Sequence, residues 1–149
     1  MTQQGPGPAR NTWQQVAALL LGVGYFLLGM LGFFFLQDTS TATLAGHDTG
    51  DVLLVFELNG IANVLHLVLG VAGMVCATTL TRARGYGVLQ AVAGGALFVF
   101  GLIAVGDPAI NVFSLNWGDN ILHLLTALVG LAMAVGRVGE RATAAPDAQ

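Results

Sequence analysis

The sequence predicts an all-α fold: an integral membrane four-helix bundle built from two tandem two-helix hairpins, related by a pseudo-twofold axis along the membrane normal. Three observations predict it. The chain of 149 residues is 55% hydrophobic and only 9% charged, whereas soluble domains carry about 25% charged residues. So few charges cannot cover a water-facing surface, and lipid must cover the rest. Four apolar stretches lie at about 16–36, 55–79, 86–106 and 118–136, and each has the length of about 17–25 residues that crosses a bilayer. Their backbones must satisfy their own hydrogen bonds in lipid, which makes them helices. Finally, a polar phrase occurs twice. Leu58-Asn59 followed by Asn63-Val64-Leu65-His66-Leu67 returns as Leu115-Asn116 followed by Asn120-Ile121-Leu122-His123-Leu124, with Gly73 and Gly130 at the same offset.

Residues 1–14 read as a disordered cytoplasmic tail, and Gly5 to Pro8 lack any apolar pattern. The first span, 16–36, follows Arg10 and is longer than the 7–15 residues of a signal-peptide core, so it reads as a retained span. Gln37 to Asp51 is a long polar loop on the outer side. The second span covers 55–79, and Thr81 to Gly87 makes a tight inner connection to the third, 86–106. Asp107-Pro108 stops that span, because proline and its predecessor both resist helix. The fourth span is 118–136, and residues 137–149 read as a second disordered cytoplasmic tail. Gly22 and Gly29 keep the spacing of Gly94 and Gly101, a weaker echo that pairs span one with span three. Spans two and four, which carry the polar phrase, are expected nearest the bundle axis.

Charge orients the bundle. Arg10, Arg82, Arg84, Arg137 and Arg141 are the only basic residues apart from histidine, and all five fall on one side of an even number of spans. The positive-inside rule makes that side cytoplasmic, so both termini are expected in the cytoplasm of a multi-pass plasma-membrane protein. Trp13 and Trp117 stand near span ends, as interfacial anchors do. Cys76 is the only cysteine, which rules out an internal disulfide. No basic patch supports nucleic-acid binding, and no phosphate loop, nucleophile elbow or zinc spacing is present. The partner expected from composition is the bilayer, with other membrane proteins or a second copy of the chain as further candidates.

The candidate intramembrane site is the repeated phrase itself. Asn59, Asn63 and His66 are spaced four and three apart and share a helix face; Asn116, Asn120 and His123 repeat the pattern. Gly70 and Gly73 continue the first stripe and Gly130 the second. The reading adopted is interhelical hydrogen bonding that fixes register, the common role of polar residues in spans. Two alternatives stay open: ligation of haem or a metal by the two imidazoles, and a small pocket for a polar or quinone-like ligand. Asp119 either orients His123 or caps span four. Glu57 falls on the far side of the helix from His66. A second candidate is the outer loop with His47, Asp48 and Asp51, where an Asp or Thr can cap span two or, less simply, bind a divalent cation.

At these residues the chain resembles a bacterial family of four-span membrane proteins filed as domain of unknown function 4383. The stretches that carry the resemblance are Leu44-Ala45-Gly46-His47-Asp48-Thr49-Gly50, the Asn63-to-Leu67 phrase with Gly70, and Leu115-Asn116 through Leu124, within about Gln14 to Gly136. The resemblance implies a membrane protein and supplies no activity or cofactor. The functional expectation is a non-enzymatic membrane component or accessory subunit; the alternative is a small-ligand or redox-cofactor protein using the His/Asn site.

Overall fold

The computed structural model describes residues 11–36 and 51–137. The tails, the loop residues 37–50 and with them His47 and Asp48 lie outside the described residues. Among the described residues the fold is helical apart from one ribbon of two two-residue strands. Helix α1 spans Trp13–Phe35, α2 Gly60–Cys76, α3 Leu80–Ala104 and α4 Trp117–Val135. Three of them, α1, α3 and α4, are long and apolar enough to cross a membrane; α2 is apolar but has 17 residues, the lower limit for a span.

The ends of the helices are set by caps rather than by the ends of apolar runs. Thr12 opens α1 in a capping box with Gln15, so the helix begins three residues before the apolar run. Asn59 caps α2 by accepting from the Ala62 amide at 2.8 Å, which starts that helix at Gly60 rather than 55. The residues before it form an antiparallel ribbon, β1 (Val52–Leu53) against β2 (Phe56–Glu57), with Leu54 at φ 58° in the turn. Glu57 is therefore a ribbon residue, and its position relative to His66 is not fixed by helical periodicity. Thr79 caps α3, accepting from the Arg82 amide, so Arg82 and Arg84 lie inside a helix that the apolar run places from 86. The connection between α2 and α3 shrinks to Ala77–Thr79. In each case an apolar run marks only what lipid would cover, whereas a hydroxyl or carboxamide that satisfies free amides decides where the helix begins.

Helix α1 packs along α2, and α3 along α4; the two pairs meet chiefly where α1 approaches α3. Helices α2 and α4 stand across the axis without close backbone contact and meet only through side chains. Spans two and four are thus not the pair nearest the axis; α1 and α3 approach more closely, through Ala18, Ala83 and Tyr86, with Met133 of α4 beside them. The interior is small and polar: Gly22, Gly70, Gly73, Asn63, Gln90 and Gly130 are buried. Large apolar side chains such as Leu20, Phe34, Val68, Val92 and Val135 point outward. Water-soluble folds have the reverse arrangement.

Glycine seams hold each pair together. A methyl group at Gly22 would lie 2.6 Å from the Met74 amide nitrogen and 2.9 Å from the Gly70 carbonyl oxygen. In the second pair, one at Gly87 would lie 2.8 Å from the Gly130 carbonyl oxygen. Backbones this close leave no room for a side chain. Gly24, two residues from Gly22, faces open space. Gly22→Val is therefore expected to destabilise the fold by about 1–3 kcal/mol, the usual cost of overpacking, while Gly24→Ala stays near neutral. Detergent unfolding of the two variants side by side measures the difference.

Candidate functional site

The two ends of the bundle differ in chemistry. At one end lie Arg82, Arg84 and Arg137 with the start of α1 and the last carbonyls of α2 and α4. There Gln15 donates to the Ala77 carbonyl at 3.1 Å, and Gln14 and Arg84 both donate to Gly136, at 3.0 and 2.8 Å. The Trp13 indole donates to the Arg137 carbonyl. Helix C-termini leave unpaired carbonyls, and these side chains take them up. Asp51, Glu57, Asp107 and Asp119 belong to the other end.

At that acidic end the repeated phrase shows its first role. The Asn59 carboxamide oxygen caps α2, and its Nδ2 donates to the Val112 carbonyl at 2.9 Å and to Ser114 Oγ at 3.3 Å, in the segment that leads into α4. The Asn116 oxygen caps α4 by accepting from the Asp119 amide, and its Nδ2 donates to the Val55 carbonyl at 2.9 Å, in the segment that leads into α2. Each cap thus serves its own helix with one atom and the opposite loop with the other. Asn59 and Asn116 lie in the cap shell rather than beside the histidines. Asp119 completes the capping box of α4, its Oδ2 accepting from the Asn116 amide at 3.1 Å. The cap of α2 is Asn59, not an Asp or Thr of the preceding loop; Asp51 is buried and receives the Leu58 amide on its carbonyl.

One turn deeper, Asn63 and Asn120 are each 1% exposed. Their carboxamides press on Gly32 of α1 and Gly101 of α3, where any added methyl would overlap the side-chain oxygen. The equivalent glycines are thus Gly32 and Gly101, one helical turn from the Gly29–Gly101 match that spacing suggests. His66 and His123 come next, 7% and 4% exposed, with ring centroids 6.5 Å apart. Tyr25 stacks on His66 at 5.4 Å and hydrogen-bonds Thr126 at 2.9 Å, whose hydroxyl donates to the His123 carbonyl. Tyr25, Thr126, Gly32 and Gly101 are the members that sequence reasoning missed; Tyr25 has no counterpart in a repeat, and no motif marks it.

The site is tightly filled. Nδ1 of both histidines, Nδ2 of Asn63 and both carboxamide atoms of Asn120 are buried without a protein partner. Against the imidazoles lies a cavity of about 20 Å³, bordered by Asp119 and Phe113, room for a single water. A buried polar group without a partner is costly, and a water in that cavity would lie beside both imidazoles. Among the described residues, no three His, Cys, Asp or Glu side chains come together as a metal-binding group.

The model of one family, described as a domain of unknown function (DUF4383), matches residues 15–136. No curated protein and no solved structure matches the chain.

Close approach of the two rings has a direct test. Cysteines replacing His66 and His123, in a Cys76→Ser background, are expected to crosslink readily with short bifunctional reagents. Failure of that pair, with control pairs across α1 and α2 reacting, would contradict the geometry.

Proposed function

The chain belongs to the DUF4383 family, and we propose that this member is a non-enzymatic integral component of a bacterial plasma membrane, an accessory to a larger membrane assembly. On this reading all four helices span the bilayer as two tandem hairpins with a pseudo-twofold along the membrane normal, and both termini are cytoplasmic. The inside-out distribution of residues supports the membrane setting: the buried faces are glycine, alanine and amides, and the exposed ones are leucine, valine and phenylalanine. Helix α2 fits as a span because its 17 residues rise about 26 Å, close to the thickness of a hydrocarbon core. The gathering of Arg82, Arg84 and Arg137 at one end supports the orientation.

The observation that carries the structural role is the packing of the His/Asn core. The two carboxamides are fitted onto glycines of the neighbouring helices, and one imidazole is stacked on Tyr25. The space beside the rings is about 20 Å³, against several hundred for a typical ligand site. A core so filled sets helix register and depth. Polar contacts of this kind contribute about 0.6 kcal/mol each, up to about 2, enough to choose one register among several without making the fold depend on any single residue.

The double variant His66→Asn/His123→Gln tests it. A hydrogen-bonding side chain remains at each position, so the protein is expected to fold with a loss on the order of 1 kcal/mol, and the purified wild type to be colourless. A coloured wild type with a Soret band that either substitution bleaches would overturn the structural reading in favour of haem ligation.

A further inference from the structure

Between α1 and α4 runs a lateral crevice of about 230 Å³, open toward the lipid-facing surface. Leu20, Leu28 and Leu122 form its walls, Phe56 of the ribbon closes its outer end, and the Tyr25–Thr126 pair forms its floor. It has a counterpart between α2 and α3, where Leu65, Leu69 and Phe113 stand fifty-seven positions before or after Leu122, Thr126 and Phe56. The counterpart has closed down to about 20 Å³ and has Leu69 in place of Thr126. Only one of the two equivalent crevices therefore combines room with a hydroxyl pair.

We infer that the α1–α4 crevice binds the ring of a quinone-class lipid, a flat carbonyl-bearing head on a hydrocarbon tail, which enters sideways from the bilayer. Its size suits such a ring, since a cavity of about 150 Å³ suffices for benzene. Its walls are apolar and its polar features are the paired hydroxyls of Tyr25 and Thr126. The Thr126 hydroxyl is within reach of the His123 carbonyl; when it donates there, Tyr25 donates in their mutual bond, and by rotation about its C–O bond can give that proton to a ligand carbonyl instead. Thr126 keeps its own bond when this happens. Depth selects the ligand. Tyr25 is twelve residues from Trp13 and ten from Phe35, about 18 and 15 Å at 1.5 Å per residue, and so near the middle of a hydrocarbon core about 30 Å thick. A phospholipid keeps its polar atoms at the interface, out of reach of that hydroxyl, whereas a quinone ring carries its carbonyls on an apolar body. Gly24 lines the crevice, and a Cβ there would have no neighbouring atom within 4 Å, which leaves room for a side chain that narrows it.

Decyl-ubiquinone titrated into the full-length protein in phospholipid nanodiscs tests this, read by the thermal midpoint and by the NMR signal of ring-labelled Tyr25. Wild type is expected to show a saturable rise in midpoint with a matching shift of the Tyr25 signal. Gly24→Leu, which fills the crevice without touching the helix seam, is expected to keep the unliganded midpoint and lose both responses. Tyr25→Phe is expected to weaken binding about tenfold, the worth of one hydrogen bond. No saturable response in wild type, or an undiminished one in Gly24→Leu, would overturn the proposal. So would broadening of the Tyr25 signal by a mid-chain spin-labelled phospholipid that decyl-ubiquinone does not relieve, which places an acyl chain in the crevice. The His66→Asn/His123→Gln test reads folding and colour rather than quinone binding by wild type, so its failure and the failure of this proposal are distinguishable.

Discussion

The arrangement depends on an exchange of two hydrogen bonds between the segments that lead into α2 and α4. Asn59 and Asn116 each spend the carboxamide oxygen on their own helix and the carboxamide nitrogen on a carbonyl of the opposite segment. The Val112 pairing is part-buried, where an unpaired carbonyl is costly, while the Val55 pairing lies at the exposed rim. Only a side chain with an acceptor and a donor on one carbon satisfies both demands from one position, which explains why asparagine stands there twice. Because each asparagine is the first fixed point of its helix, the exchange sets α2 and α4 to the same depth. His66 and His123, seven residues on from each cap, then meet across the axis.

Within each helix pair, glycine does the complementary work. The seams at Gly22 with Gly70 and Gly73, and at Gly87 with Gly130, let backbones touch, and the contact area within a pair far exceeds that between pairs. The two pairs are joined by the asparagine exchange on the acidic side, by the Gln14 and Trp13 bonds on the basic side, and between them by the Tyr25–Thr126 bond and the His66–His123 contact. The lateral crevices lie where one pair meets the other, and they differ because tyrosine and threonine occupy one of them and leucine the other.

Composition and the repeated phrase made the helices, their number and the polar centre legible, because low charge, long apolar runs and buried amides leave few alternatives. The phrase was less informative about roles. Spacing places Asn59 on the His66 face, yet the same residue is an N-cap outside the helix; periodicity cannot distinguish the first helical turn from the residue that precedes it. The ribbon at 52–57 overlaps the start of the span expected from 55, since Val55 and Phe56 are apolar and the turn at Leu54 uses neither glycine nor asparagine. The glycine echo misleads by one turn, because glycines on α1 recur every few residues and only contact with Asn63 singles out Gly32. Tyr25 was illegible: its importance lies in what α2 and α4 bring to it.

The cross-bundle half of the asparagine exchange can be measured apart from capping. Aspartate and serine are N-caps of about the same quality as asparagine, but neither carries the amide donor. If the exchange joins the two halves, Asn59→Asp and Asn59→Ser both lower stability by about 1–3 kcal/mol in detergent unfolding, because the Val112 carbonyl loses its partner. If both variants match wild type, capping alone accounts for Asn59, and the halves are held together by something else.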